Sequence, residues 1–369
     1  MTSYSYRLML GMGLVAAGGL AQGQPVARDP LAPLPQDATV PQGVTVPQPP
    51  PLVLPPRIAP ASLRDRITAL GRSFSGRAGI SVVSLSEGWQ ADYNATTLFP
   101  QQSCSKLWVA ITAMDAVDRG RVSLNDRVTL GRDDLTLFHQ PISAKILGKG
   151  GHTTTLGTLL FTAITESDNT ANDKLMRSIG GPQAVRDMIV AKNLGSIRFY
   201  DGERALQSRI AGLIWSQSYS IGDAFYRARS GLPASVRKAS FERYVADPYD
   251  GAAPHSVALA LARLKRGELL SPASTQRLLA TMGSTKTGAL RVRAALKPGW
   301  KWSHKTGTGQ NFQGRVGGIN DIGILTAPDG TNYAMAIMTV PSKSDGASQD
   351  LMQAVARTVI ADHEARRGL

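Results

Sequence analysis

Two side chains near residue 105 have the types and spacing needed for nucleophilic chemistry. Ser103 and Lys106 form an S-x-x-K tetrad where an apolar helix is predicted to begin. Residues three apart share one face of a helix, so the hydroxyl and the amine can be neighbours. A serine hydroxyl needs a nearby base to attack, and a lysine can supply one if burial or positive neighbours lower its pKa. The alternative is a helix-capping serine beside a solvated lysine.

Two further polar motifs follow along the chain. Ser167-Asp168-Asn169 lies between two predicted helices, where these residue types also suit ordinary helix caps. Lys305-Thr306-Gly307 lies on a predicted strand and continues into Thr308, with an ordinary edge strand as its alternative. Each motif alone is a weak signal. Their order, S-x-x-K, S-D-N, K-T-G, with gaps of about 60 and then about 135 residues, is far more specific.

This ordered set resembles the signature of class A serine β-lactamases and penicillin-binding proteins, which are penicillin-recognising serine hydrolases. Phe99-Pro100, before the tetrad, and Asn320–Gly323, after K-T-G, are similar to further segments of class A β-lactamases. The likeness covers roughly residues 63–365. It implies a β-lactamase/transpeptidase-like fold with an α/β-sheet region, an all-helical region and a site between them.

The resemblance implies catalytic roles for four residues. Ser103 would attack a lactam carbonyl, and Lys106 would accept or relay its proton. Ser167 would pass a proton to the leaving nitrogen, with Lys106 and the catalytic residue Lys305 nearby. The backbone amides of Ser103 and Thr308 would donate to the developing oxyanion. These roles together predict an acyl-enzyme on Ser103.

The resemblance also implies how a substrate would bind. Asn169 would hydrogen-bond its acylamino side chain. Lys305 and its strand neighbours Thr306, Gly307 and Thr308 would hold its carboxylate, because a cationic strand edge suits an anion.

Glu203 and Gln207 lie in a segment similar to the family's E-x-x-L-N loop motif, about 35 residues after S-D-N. Glu203 would be the general base that activates water on the acyl-enzyme. Gln207 stands where asparagine is expected, and Asp201 where an arginine often braces the loop. The longer Gln207 side chain can still hold a water. For Glu166, a second nearby carboxylate, we expect a surface position outside the catalytic contacts.

The main departure from the family lies between Gln207 and Pro254, a span of 47 positions where about a dozen residues are usual. Residues 208–250 carry seven of the chain's 22 aromatic side chains, which argues against disorder. We expect one or two helices beside the active-site loop. They would form either a lid that alters substrate choice or a surface elaboration.

Smaller signals concern the edge of the expected pocket. Phe138 or His139 could be an aromatic residue at its rim, with surface packing as the alternative. Arg315, ten residues after Lys305, could add a second charge for the substrate carboxylate.

Five β-rich runs and the helices between them indicate an α+β (α/β) fold. The strands at both ends of the chain can join one five-stranded antiparallel sheet flanked by helices, beside an all-helical subdomain. The predicted strands are Ile80–Ser84, Trp89–Tyr93, Trp300–Thr306, Gly317–Thr326 and Tyr333–Val340.

The N-terminal residues have a different character. Residues 1–23 combine an early arginine, a short apolar run and small residues, which indicates a signal peptide. Residues 24–61 are proline-rich and predict a stiff linker, with the catalytic domain over 62–369. We therefore expect a periplasmic or secreted protein with no stable membrane span after cleavage. An uncleaved anchor is the alternative.

Composition excludes several other classes. The single cysteine excludes a disulfide scaffold within the chain, and the five scattered histidines show no metal-ligand spacing, so no metal or cofactor is expected. The formal charge is +14, but no basic run resembles a nucleic-acid module. We expect a monomer that acts on a small-molecule β-lactam or a peptidoglycan stem peptide.

The leading interpretation is a serine β-lactamase that acylates Ser103 and deacylates through Glu203. A D-alanyl-D-alanine peptidase of peptidoglycan metabolism would share the acylation residues but activate water poorly. A non-catalytic β-lactam or peptidoglycan sensor is the third possibility, supported only by the linker.

Overall fold

The computed structural model describes residues 57–368, and the expected signal peptide and most of the expected linker lie outside this range. The helices are α1 Ala61–Ser73, α2 Lys106–Asp118, α3 Ser143–Lys149, α4 Leu156–Thr165, α5 Asn169–Ser178, α6 Gly181–Ala191, α7 Glu203–Ile210, α8 Ala224–Gly231, α9 Ala234–Ala246, α10 Pro254–Lys265, α11 Pro272–Gly283 and α12 Ala347–Arg367. The strands are β1 Arg57–Ile58, β2 Gly76–Ser84, β3 Trp89–Tyr93, β4 Phe99–Pro100, β5 Arg127–Leu130, β6 His152–Thr155, β7 Gly251–Ala252, β8 Lys301–Thr308, β9 Asn311–Phe312, β10 Arg315–Val316, β11 Ile319–Thr326 and β12 Asn332–Pro341. Within this range no helix is both long and apolar enough to cross a bilayer.

The main sheet has the strand order β1-β3-β2-β12-β11-β8. The five strands from β3 across to β8 pair antiparallel, which confirms the predicted α+β fold and its five-stranded sheet. The short strand β1 adds a sixth member that pairs in parallel with β3. Residues 57 and 58 were expected in the linker, so the end of that segment takes part in the sheet.

Helices cover both faces of the sheet, and the side-chain alternation along β12 shows this directly. Tyr333, Met335 and Ile337 belong to a core with residues of α1 and α12. The intervening Ala334 and Ala336 belong to a second, larger core with residues of α2 and α10. Because successive strand residues point to opposite faces, β12 must be apolar throughout.

Helix α2 is the centre of the helical region. Its residues from Lys106 to Ala116 are all buried, as expected for a helix that packs on every side. It contacts α4, α5, α6 and α11, and the turn directly before it contacts β8. The S-x-x-K motif therefore lies where the sheet meets the helices.

The aromatic-rich segment between α7 and α10 folds into two helices, α8 and α9, in agreement with the expectation of one or two. Phe225 of α8 is buried in a small core with Leu137 and Ala211. Phe241 and Tyr244 of α9 are buried in the larger core. Both helices are thus packed parts of the domain.

Close approach of β8 to β11 depends on Gly323. A Cβ atom there would lie 2.3 Å from the Ser303 carbonyl oxygen on β8. We expect Gly323→Ala to lower the free energy of unfolding by roughly 1–3 kcal/mol, since β8 must shift to admit the methyl group. The control is Gly148→Ala in α3, where a Cβ meets nothing within 4 Å. Urea unfolding of both variants checks this, and equal effects would contradict it.

Candidate active site

A tight helical turn places Ser103 beside Lys106. Residues Gln102–Ser105 form a 3-10 turn, and α2 begins at Lys106. Lys106 Nζ donates to Ser103 Oγ at 2.8 Å, so the tetrad brings amine and hydroxyl together as its spacing predicts. Gln102 has a φ of +53°, which is uncommon for a residue with a side chain and turns the chain sharply before Ser103.

The Lys106 amine is buried among oxygen acceptors. It also donates to Asn169 Oδ1 at 2.8 Å and pairs with Glu203 Oε1. The Lys106 side chain is 0% exposed and that of Glu203 is 4% exposed. A buried ammonium is tolerated only when it is paired and hydrogen-bonded. The amine therefore joins the S-x-x-K turn, the S-D-N turn and the start of α7.

A second buried lysine faces Ser167. Lys305 Nζ on β8 donates to Ser167 Oγ at 2.9 Å and to the Thr306 carbonyl at 2.9 Å. Burial, followed by repulsion from Lys106, lowers the pKa of the Lys305 amine to about 7. The Lys305 amine, which contacts the hydroxyl of the S-D-N motif, therefore has a pKa close to neutral pH.

The turn between α4 and α5 aims its two neighbouring polar residues in different directions. Ser167 has a φ of +62°. Asp168 caps α5 by accepting the Ala171 N–H at 2.8 Å, and it also accepts the Ile142 N–H at 2.7 Å. This fixed carboxylate holds the turn so that Ser167 faces β8 while Asn169 faces Lys106.

Helix α7 presents Glu203 and Gln207 on one face, because residues four apart are neighbours on a helix. Gln207 Nε2 donates to Glu203 Oε2 at 3.2 Å, and Gln310 Nε2 donates to Gln207 Oε1 at 3.0 Å. The Asp173 carboxylate of α5 accepts the Glu203 N–H at 3.0 Å and so caps the start of α7. Gln207 thus connects the carboxylate with the strand side of the site.

A buried carboxylate supports the turn that carries Ser103. Asp250 accepts the Gln102 N–H at 2.7 Å and the Tyr244 hydroxyl at 2.9 Å. The Gln102 side chain donates to the Tyr244 hydroxyl at 2.6 Å and accepts from Gln207 Nε2 at 3.3 Å. Both donors to Asp250 are neutral, and burial raises the pKa of this carboxyl to about 7. Sequence patterns did not single out Tyr244 or Asp250.

These groups surround a cavity of about 500 Å³. Lys106, Glu203 and Lys305 lie behind its wall, in contact with residues that line it. The lining residues come from all three motifs, α7, the loop before α3, insert helix α8, the segment between α11 and β8, and the β8 edge: Ser103, Phe138, His139, Ser167, Asn169, Gln207, Tyr226, Arg229, Thr287, Arg291, Thr306, Thr308, Gly309, Gln310 and Asn311.

Gly307 supports the cavity from behind and is not among its lining residues. A Cβ at this position would stand 2.3 Å from the Gln101 carbonyl oxygen and 3.2 Å from Cys104 Sγ. The missing side chain lets β8 pack against the Ser103 turn. Thr306 and Thr308, on either side, remain on the cavity wall.

The chain matches the model of the β-lactamase enzyme family over residues 62–363. It belongs to that family. This finding, together with the relatives below, confirms the expected likeness to class A serine β-lactamases.

Similar proteins carry the same family name. The chain is 27% identical over 304 residues to β-lactamase CTX-M-97 of Escherichia coli, covering 81% of this chain and 88% of that protein. It is 28% identical over 281 residues to a β-lactamase of Mycobacterium tuberculosis, covering 76% and 78%.

Solved structures show the same fold. A variant of the last common ancestor of Gram-negative bacteria β-lactamase class A, bound to 5(6)-nitrobenzotriazole, superposes with a TM-score of 0.65 at 27% identity, covering 83% of this chain and 100% of that one. A β-lactamase from Chitinophaga pinensis gives a TM-score of 0.66 at 24% identity, covering 82% and 99%.

The cavity-lining cation beside strand β8 in this β-lactamase family member is Arg291, which the sequence analysis missed. It donates to the Gly307 carbonyl at 3.0 Å and to Thr308 Oγ1 at 2.5 Å. Arg315, the residue expected in this role, instead pairs with Glu242 and lies 5.8 Å from the centre of the Phe241 ring. Strand β10 directs Arg315 toward α9 rather than the cavity. Arg291 lies in an irregular segment where no local pattern distinguishes it.

Other carboxylates near the motifs have partners at the surface. Glu166 pairs with Lys286 at 2.6 Å, in agreement with the expected position outside the catalytic contacts. Asp201, at the position where the resemblance led us to expect an arginine, pairs with Arg186 at 2.9 Å. No group of three or more His, Cys, Asp and Glu side chains within residues 57–368 could hold a metal ion.

Asp250 should make folding stability depend on pH. Its pKa rises from 3.8 to about 7 in the folded chain, so its protonated form stabilises the fold fully below pH 3.8, and this contribution is lost as pH rises through about 7. Relative to Asp250→Asn, the wild-type Tm should therefore fall between pH 4 and pH 8. The control is Asp247→Asn, which replaces a carboxylate that is 73% exposed. The difference in Tm between wild type and this variant should change little from pH 4 to pH 8. A wild-type Tm that keeps a constant offset from Asp250→Asn would refute this.

Proposed function

We propose that this protein is a serine β-lactamase that opens the lactam amide through an acyl-enzyme on Ser103. One observation carries the proposal: the Lys106 amine contacts both the Ser103 hydroxyl and the Glu203 carboxylate at the wall of the cavity. Such an arrangement provides a nucleophile, a proton acceptor and a base for water in one place. The names of the related proteins support the same substrate class.

In the acylation step, Ser103 Oγ attacks the lactam carbonyl carbon while Lys106 takes the hydroxyl proton and passes one of its own to the Glu203 carboxylate, which releases it to solvent before deacylation. The carbonyl oxygen becomes an oxyanion, to which the backbone N–H groups of Ser103 and Thr308 donate. Loss of one such donor typically costs about 3–4 kcal/mol of transition-state stabilisation. The C–N bond then breaks, and Ser167 passes a proton to the nitrogen while Lys305, 2.9 Å from Ser167 Oγ, supplies one in turn.

The strand edge and the S-D-N turn hold the substrate in place. Thr306 and Thr308 line the cavity, with the Lys305 and Arg291 cations beside them, and bind the substrate carboxylate. Asn169 binds the acylamino group from the opposite side. Its amide is held for this by its bonds to the Lys106 amine and to the Leu137 carbonyl, each 2.8 Å long.

In the deacylation step, Glu203 takes a proton from water as the water attacks the acyl carbonyl. The Gln207 amide donates to Glu203 at 3.2 Å and lines the cavity, so it holds this water close to the ester. The bond from Ser103 Oγ to the acyl carbon breaks, and the hydroxyl recovers its proton. We further propose that this takes place outside the cytoplasm, on the basis of the signal-like N-terminal sequence.

The test follows the mass of the protein mixed with a penicillin over time. Glu203→Gln should keep the Ser103 adduct while turnover falls by roughly 100- to 10,000-fold, the usual contribution of a general base. The control is Glu166→Gln, an acid of the same type at the surface, which should turn over like wild type. Ser103→Ala should form no adduct.

Other outcomes would change the assignment. A wild-type adduct that persists for hours, with cleavage of D-alanyl-D-alanine peptides, would identify a peptidase. A persistent adduct without peptide cleavage would favour a sensor. Rapid turnover by Glu203→Gln would remove Glu203 from the mechanism.

Loss of the charge on Lys305 should lower kcat/KM at alkaline pH. Its pKa is lowered to about 7, so it is a cation below that pH and loses its charge as pH rises through it. Since kcat/KM reports on the free enzyme, kcat/KM for a penicillin should decline above about pH 7. Lys305→Arg should abolish this decline, because arginine stays charged, although its absolute rate is lower. The same alkaline decline in both proteins would assign it to another group.

A further inference from the structure

Helix α8 of the insert lies across one end of the cavity and is fixed at both sides. The buried ring of Phe225 packs edge-on against Phe138 with ring centres 5.1 Å apart. Arg229, one turn further along, donates from Nη2 to the Asn311 carbonyl at 2.8 Å, just beyond strand β8. The helix therefore connects the loop before α3 to the strand edge, and Arg229 lines the cavity at that crossing.

Arg229 has no carboxylate partner within residues 57–368. Its hydrogen bond to Asn311 goes to a neutral carbonyl and uses one of its five N–H groups. Burial, followed by repulsion from Arg237 on α9, lowers the pKa of this guanidinium, which nevertheless stays charged at neutral pH. The residues lining the cavity include two arginines and no Asp or Glu. This end of the cavity thus holds a positive charge that no acid of its wall neutralises.

The position of Arg229 differs from that of the cations assigned to the substrate carboxylate. Arg291 contacts Thr308, whereas Arg229 contacts Asn311, three residues further along the chain. Helix α8 also packs on Phe138, directly after Leu137, whose carbonyl holds the Asn169 amide. The helix that carries Arg229 therefore contacts the loop that holds Asn169, the residue assigned to the acylamino group.

We propose that Arg229 binds a second anionic group, a carboxylate or sulfonate carried on the acylamino side chain, so that the enzyme prefers dianionic β-lactams. The guanidinium has a planar fork of donors that fits such a group in two parallel hydrogen bonds. The proposal rests on the β-lactamase function proposed above and adds a specificity residue from the segment between α7 and α10.

The experiment compares two substrates that differ by one charge: benzylpenicillin and its derivative with a carboxylate on the benzylic carbon. For wild type and Arg229→Gln, the ratio of kcat/KM for the carboxylated compound to kcat/KM for benzylpenicillin is measured. We expect this ratio to fall about tenfold in Arg229→Gln, equivalent to about 1.4 kcal/mol. Arg229→Lys should give an intermediate ratio, since it keeps the charge but loses the fork.

The matched control is Arg227→Gln on the same helix. Arg227 is 68% exposed and pairs with Asp223, so its removal changes the net charge equally and should leave the ratio at the wild-type value. Because both substrates are measured on the same protein sample, a partly unfolded variant cannot mimic the result. An unchanged ratio in Arg229→Gln, or an equal fall in Arg227→Gln, would overturn the proposal.

Failure of the β-lactamase function would be recognised separately. In that case wild type would not hydrolyse benzylpenicillin at all. The same ratio would then be taken from the rates at which the two compounds acylate Ser103, measured by mass. A tenfold fall in that ratio in Arg229→Gln would still support the anion site, and an unchanged ratio would refute it.

Discussion

The buried ammonium of Lys106 is the group on which this active site depends. Removing an amine from water is unfavourable unless acceptors and a countercharge surround it, and here Ser103, Asn169 and Glu203 supply them. These three come from three separate parts of the chain. The need to pair this amine therefore fixes the α4–α5 turn and the start of α7 against α2. A shift of α7 would leave two charges buried without a partner, and a shift of the α4–α5 turn would remove an acceptor from the ammonium.

The cations around the cavity outnumber the carboxylates that pair with them. Lys106 has Glu203, but Lys305 is buried against hydroxyl and carbonyl oxygens, and Arg291 contacts two backbone carbonyls and a threonine hydroxyl. Burial and mutual repulsion therefore lower the pKa of Lys305. An anion entering the cavity would relieve both effects, so the free protein is arranged to gain electrostatic free energy when a carboxylate binds. The unpaired cations of the site therefore favour an anionic ligand, whatever its shape.

Much of this was predictable because it is local. The contact of Ser103 with Lys106 follows from helical spacing, and the five antiparallel strands follow from their apolar pattern. The buried residues Val185, Met188 and Ile189 of α6 likewise have helical spacing. By contrast, the contacts of Arg291 with Thr308 and of Tyr244 with Asp250 depend on how distant segments pack. Spacing along the chain carries no information about such contacts. The sequence therefore led us to expect Arg315 as the second positive charge, whereas Arg291 is the arginine beside Thr308.

The insert between α7 and α10 contributes to the site in two places, behind the Ser103 turn and at the wall of the cavity. Helix α9 acts inside, where the Tyr244 hydroxyl holds both Gln102 and Asp250 and so supports the turn before Ser103. Helix α8 acts outside, where Phe225 and Arg229 fix it across the cavity. A mobile loop in that position would lose conformational entropy each time a ligand bound, and this would weaken binding. Here the ordering is completed when the domain folds, because Phe225 is buried in a core of its own. An anion that reaches Arg229 therefore meets a donor already in place, and the binding free energy is available for discrimination between side chains.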